Sequence, residues 1–85
     1  MKNVTIYTTL VCPYCVRAKK LLEKKGVSYE EFRIDLDPAL IQEAVEKSGG
    51  LRTVPQIFIG DYHVGGCDEL YALNEEKKLD GLLEG

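Results

Sequence analysis

Glycine and proline punctuation constrains this chain more than any other feature. Breaks at Gly26, Asp37-Pro38, Gly49-Gly50, Gly60-Asp61 and Gly65-Gly66 leave intervals with room for no more than one or two short elements each. The first interval opens with Val4-Thr5-Ile6-Tyr7, an alternating strand signal. After a loop it continues into a helix predicted from about Pro13 to Lys25, with Ala18, Leu21 and Leu22 as its buried stripe. A second strand is predicted around Tyr29 to Ile34, where Phe32, Ile34 and Leu36 alternate with charged neighbours. Asp37-Pro38 then supplies an N-cap and a first-turn proline for a second helix that would bury Leu40, Ile41, Ala44 and Val45. Pro55 to Ile59 and Tyr62 to Val64 read as a hairpin about Gly60-Asp61. From Cys67 onward the pattern is helical through Leu70, Tyr71 and Leu73, with a terminal turn or helix docking Leu79, Leu82 and Leu83.

The order strand, helix, strand, helix, strand, strand, helix implies one right-handed parallel crossover followed by a hairpin. The expected fold is therefore α/β: a four-stranded mixed sheet flanked by helices, on the thioredoxin-like plan. At 85 residues the chain is expected to form one domain, 1–85, burying only about 60 to 65% of its unfolded surface. With 45% hydrophobic and 29% charged residues it is neither disordered nor of low complexity. No apolar run approaches the roughly 18 residues of a membrane span, and strand-forming sequence begins directly after Met1-Lys2-Asn3, so a cytoplasmic protein with no membrane partner is expected. The net charge of -3 is unevenly spread. Residues 1–25 carry six Lys or Arg against Glu23 alone, whereas residues 61–85 carry two against seven acids. Solvated helix faces account for such a split, and so does a field that draws an anionic ligand toward the first helix. Nucleic acid is excluded as a partner by the acidic total and the lack of a basic-aromatic pattern.

Three cysteines are too few, and oddly numbered, for the disulfide scaffold of a small secreted protein, so they raise the question of chemistry or metal. Cys12 falls where the first loop enters the first helix, with Pro13 at the first helical position. Free amide N–H groups and the helix dipole favour a thiolate there, and such surroundings bring a cysteine from about 8.5 into the range of roughly 3.5 to 7.5. Cys15 projects from the same face one turn inside, so a reversible disulfide can close without much backbone movement. The same Cys-x-x-Cys spacing is half of many zinc sites. The other ligands would then be His63 and Cys67, two on a helix start and two beside a hairpin.

Four blocks in order now carry a family resemblance: Cys12-Pro13-Tyr14-Cys15, Arg17-Ala18-Lys19, Thr53-Val54-Pro55-Gln56-Ile57-Phe58-Ile59, and Gly65-Gly66-Cys67-Asp68. Over essentially its whole length the chain resembles a dithiol glutaredoxin of the small bacterial type. It departs from the family's pattern in two places. Thr9 stands where a Lys or Arg is usual, three residues before the first cysteine, and the loop Gly49-Gly50-Leu51-Arg52 is about one residue longer than usual.

The resemblance implies a glutathione-dependent thiol-disulfide oxidoreductase that reduces glutathione mixed disulfides and protein disulfides, with Cys12 as nucleophile and Cys15 as resolving thiol. It implies a cis bond before Pro55, and a site for glutathione formed by Tyr14, Arg52, Thr53, Val54, Pro55, Gly66, Cys67 and Asp68. Val54 would pair with the cysteine part of glutathione as one extended residue. Gly66 and the start of the next helix would take a γ-glutamyl carboxylate, Asp68 its ammonium, and Arg52 a carboxylate. Cys67 has no catalytic role on this reading. Glutathione is the co-substrate, no cofactor or metal is held tightly, and the enzyme is expected to act as a monomer on glutathionylated or disulfide-containing clients. Three alternatives stay beside it: a glutathione-ligated iron-sulfur cluster carrier, an electron donor linked to thioredoxin reductase, and a non-enzymatic zinc module.

Overall fold

A computed structural model describes residues 2–84. The elements follow the expected order: β1 (Val4–Thr8), α1 (Pro13–Lys24), β2 (Tyr29–Arg33), α2 (Pro38–Lys47), β3 (Gln56–Ile59), β4 (Tyr62–Gly65), α3 (Cys67–Glu75) and α4 (Leu79–Glu84). The strands form one mixed sheet in the order β2-β1-β3-β4. β1 and β2 are parallel, with Tyr7 opposite Phe32. β1 runs antiparallel to β3, with Ile6 opposite Ile57, and β3 and β4 form the hairpin, which is irregular between Ile57 and Phe58.

Strand alternation divides the core between the two faces of the sheet. On one face Val4, Ile6, Ile57 and Ile59 pack with Ala18, Leu21 and Leu22 of α1, Leu70 of α3, and Leu79 and Leu83 of α4. Ile6, Leu22, Ile57, Ile59, Leu70 and Leu79 are fully buried, and each such side chain contributes about 1.5 to 3 kcal/mol. On the other face a smaller cluster joins Tyr7, Phe58 and Ala44, with Phe32 and Ile34 beside it. The rings of Tyr7 and Phe58 meet edge to face at 5.8 Å.

Two sequence expectations fail here. β2 ends at Arg33, so the alternation does not extend to Leu36, which is 73% exposed on the turn that follows. Of the four residues expected to be buried on α2, only Ala44 is; Leu40 and Val45 are half-buried and Ile41 is exposed. The periodic stripe is present, but the cluster beneath α2 is small. Ile41 and Val45 instead line a surface depression with Pro38, Gln42, Glu46 and Arg52.

Helix ends follow the local chemistry. Asp37 accepts from the Ala39 N–H at 3.0 Å and caps α2. α1 closes where Gly26, at φ +72°, lets its own N–H reach the Glu23 carbonyl (3.0 Å) and the Val27 N–H reach that of Leu22 (3.1 Å).

Candidate active site

Cys12 is the N-cap of α1, held extended at φ -150° and ψ 95°, with Pro13 at the first helical position. Its carbonyl accepts from the Val16 N–H at 3.1 Å, which begins the helix, and its sulfur accepts from the Cys15 N–H, also at 3.1 Å. The amide that a serine or aspartate would normally satisfy is thus aimed at a sulfur. Cys15 is joined to Cys12 as a disulfide, their Cα atoms 5.2 Å apart. Cys15 is 1% exposed and Cys12 9%, so Cys12 is the more accessible of the two sulfur-bearing residues.

The loop before Cys12 is tied to the end of β2. Asp35 accepts from the Leu10 N–H at 3.2 Å and from Arg33 through two bonds, Nε at 2.7 Å and Nη2 at 2.6 Å. The Arg33 guanidinium, with the Leu10 amide adding to it, holds the Asp35 carboxyl down at about 2. One layer below, the buried Thr8 hydroxyl donates to Glu31 at 2.6 Å and Lys19 reaches the same oxygen at 2.9 Å. These two partners, the hydroxyl first, lower the Glu31 carboxyl. Lys19 is therefore paired, as is Lys25 with Asp80, so part of the positive excess on α1 is neutralised locally.

Across from Cys12, the Val54-Pro55 bond is cis and the Val54 carbonyl oxygen lies 3.8 Å from the Cys12 sulfur. A groove of about 290 Å³ extends from this turn to the start of α3. Its walls include Tyr14, Thr53, Val54, Pro55, Gly66, Cys67 and Asp68, seven of the eight residues expected to surround glutathione. The eighth, Arg52, borders the α2 depression instead. Thr9, half-buried, follows β1 directly.

Gly65 lines the groove beside Gly66, and so do Gln56, Leu51 and Glu69, which were not anticipated there. Glu69, at the third position of α3, accepts from the Gly66 N–H at 2.7 Å and so occupies one of the free amides at that helix start. The spacing from an N-cap to a Glu three residues on was the available signal. Gly65 sits at φ +108°, where a residue with a side chain is strained, and a Cβ there would also lie 2.9 Å from a Glu69 carboxylate oxygen. Cys67 is 3% exposed, and burial pushes its thiol above the ordinary value. Among the described residues, no group of three His, Cys, Asp or Glu side chains is placed to hold a metal ion. No helix among them is long and apolar enough to cross a membrane.

A family model described as Glutaredoxin matches residues 4–64. The chain belongs to the glutaredoxin family. A glutaredoxin of Pseudomonas aeruginosa is 55% identical over 83 residues, covering 98% of both chains. Glutaredoxin 3 of Escherichia coli is 55% identical over 84 residues, covering 99% of this chain and all of that one (100%). Among solved structures, the glutaredoxin of Brucella melitensis matches with a TM-score of 0.84 at 55% identity, over 98% of this chain and 89% of that one. A buckwheat glutaredoxin-glutathione complex matches at 0.86 and 32% identity, over 95% and 76%. The thioredoxin-like fold, the dithiol pair and family membership agree: as a glutaredoxin, this chain is a glutathione-dependent thiol-disulfide oxidoreductase.

Proposed function

We propose that Cys12 is the nucleophile, that Cys15 resolves, and that the groove from the Val54-Pro55 turn to α3 binds the glutathione moiety. The observation that carries this is the place of the Cys12 sulfur, between the Cys15 amide at the mouth of α1 and the Val54 carbonyl at the head of the groove. The amide favours the charged sulfur, and the turn offers a backbone edge for an extended thiol peptide. A relative crystallised with glutathione supports the assignment of ligand class.

In the first step the Cys12 thiolate attacks the glutathione sulfur of a mixed disulfide, the client thiolate leaves, and glutathione remains on Cys12. A second glutathione thiolate then attacks that glutathione sulfur, releasing oxidised glutathione and regenerating the Cys12 thiolate. With a protein disulfide, Cys12 forms the mixed disulfide and Cys15 attacks its Cys12 sulfur, leaving Cys12–Cys15 oxidised until two glutathiones reset it. Thr53, Val54, Pro55 and Tyr14 bind along one side of the groove. Gly66 and Cys67 present the start of α3, Asp68 the ammonium contact, and Arg52 reaches in from the flank for a carboxylate. Leu10, Val11 and Tyr14, exposed by 71, 86 and 55%, flank Cys12 in the chain and offer apolar contact to protein clients.

The domain spans 1–85, works as a monomer without a tightly bound cofactor, and belongs in the cytoplasm, where the glutathione pool supplies reducing equivalents. Coupled reduction of a small glutathione mixed disulfide by purified protein tests the assignment. A glutathione-dependent rate well above buffer is expected, and a rate equal to buffer overturns it.

A further inference from the structure

The glutathione turn, residues 51–55, contains no helix or strand. Thr53 is tied to the sheet by Gln56, whose Nε2 donates to the Thr53 carbonyl at 3.0 Å and to its hydroxyl oxygen at 3.1 Å. Gln56 is itself 2% exposed, so its remaining polar atom needs a partner inside the protein. That partner is His63, with Nε2 2.7 Å from Gln56 Oε1.

The directions in this chain follow from the chemistry. A carbonyl oxygen can only accept, so the Thr53 carbonyl fixes the amide nitrogen of Gln56 beside it and turns Oε1 toward His63. Oε1 can only accept in turn, so His63 must carry its proton on Nε2. The imidazole is held for this by stacking on Phe58, centroids 4.8 Å apart and planes 22° apart.

We propose that His63, a hairpin residue outside the groove, is a positioning residue for glutathione use: its Nε2–H, acting through the buried Gln56 amide, holds the Thr53-Val54-Pro55 turn in register with the Cys12 sulfur. This deepens the site assignment above and rests on it. His63 does not line the groove, and its partners are Gln56 and Phe58. Losing its proton donor leaves Gln56 Oε1 buried and unpaired, frees the amide to reorient, and loosens the turn at Thr53.

The geometry gives a specific substitution test. A glutamine places its Nε2 as many bonds from Cβ as histidine's Nε2, an asparagine places its nitrogen where Nδ1 lies, and phenylalanine keeps the stack on Phe58 without any donor. With a glutathionylated peptide as substrate, His63→Phe and His63→Asn are expected to raise KM about 3- to 10-fold with little change in kcat, and His63→Gln to stay within about twofold of the parent. Reduction of the Cys12–Cys15 disulfide by dithiothreitol, which has no γ-glutamyl or glycyl group to seat, should be unchanged in all three. Ring nitrogen-15 shifts of the parent protein should show Nε2 protonated. A parent-like KM in His63→Phe, equal behaviour of the Gln and Asn variants, or an Nε2 without a proton would overturn the proposal. A parent protein with no glutathione-coupled turnover would overturn the site assignment instead, leaving the ring shifts to decide the His63–Gln56 contact.

Discussion

The Cys15 N–H donates to the Cys12 sulfur at 3.1 Å, so the residue assigned as nucleophile is also the N-cap of α1. Serine is a good cap and alanine a poor one. Reduced Cys12→Ser should therefore be more stable than Cys12→Ala by about 0.5 to 2 kcal/mol, although both lose the same disulfide. Urea unfolding of the two variants measures the difference, and equal midpoints would mean that the cap contributes nothing.

Cys67 is buried and its thiol is pushed up, whereas Cys12 lies at a helix mouth beside the groove. In reduced native protein near neutral pH, iodoacetamide should modify Cys12 rapidly and leave Cys67 unmodified until the protein unfolds. Peptide mass mapping against time reads this directly.

Asp35 ties the loop before Cys12 to Arg33, and its folded value of about 2 lies below the ordinary carboxylate value of about 3.9. The sign follows: the contribution is present above about pH 4 and is lost as pH falls toward about 2. Because the pair is solvent-exposed, the effect on global stability is small. Asp35→Asn should slightly flatten the acid limb of the stability profile and speed hydrogen exchange at the Leu10 amide, with exchange elsewhere unchanged.

Just beyond α3 and its C-cap Glu76, Lys77 is a non-glycine residue at φ +61°, followed by the Lys78 N–H bonding to the Leu73 carbonyl at 2.9 Å. A side chain in the left-handed region costs about 1 kcal/mol that glycine avoids. Lys77→Gly should accordingly raise stability by about 0.5 to 1 kcal/mol, whereas Gly65→Ala should lower it by about 1 to 3 kcal/mol, because a side chain at φ +108° is strained and its Cβ also displaces the Glu69 carboxylate. Thermal or urea midpoints of both variants check the pair.

Much of this was legible in the sequence, because local signals and tertiary demand agree. Gly26, Asp37-Pro38 and Gly60-Asp61 bound elements where they stand, and Cys12 with Pro13 marks the helix mouth. The end of α3 was not legible, since Lys77 takes a conformation that sequence reserves for glycine or asparagine. Burial on α2 was over-read: periodicity reports which face could be buried, and how much apolar surface lies opposite Ile41 is a property of the sheet. In the site, the expected glutathione residues came from the family resemblance and Glu69 could have been read from its spacing to the N-cap, whereas the place of Gln56 in the groove depends on a side-chain direction that no spacing carries. Arg52 was placed near the turn by sequence distance, and it borders the depression over α2.

The unequal roles of the two cysteines are the centre of this account, and the same coupled assay tests them when run on single-cysteine variants. With a glutathione mixed disulfide as substrate, Cys12→Ser should fall to the buffer rate, while Cys15→Ser should keep glutathione-dependent turnover and lose most reduction of a protein disulfide. If Cys15→Ser were as inactive as Cys12→Ser on the glutathionylated substrate, Cys12 could not be acting alone through its glutathione adduct, and the account would be contradicted.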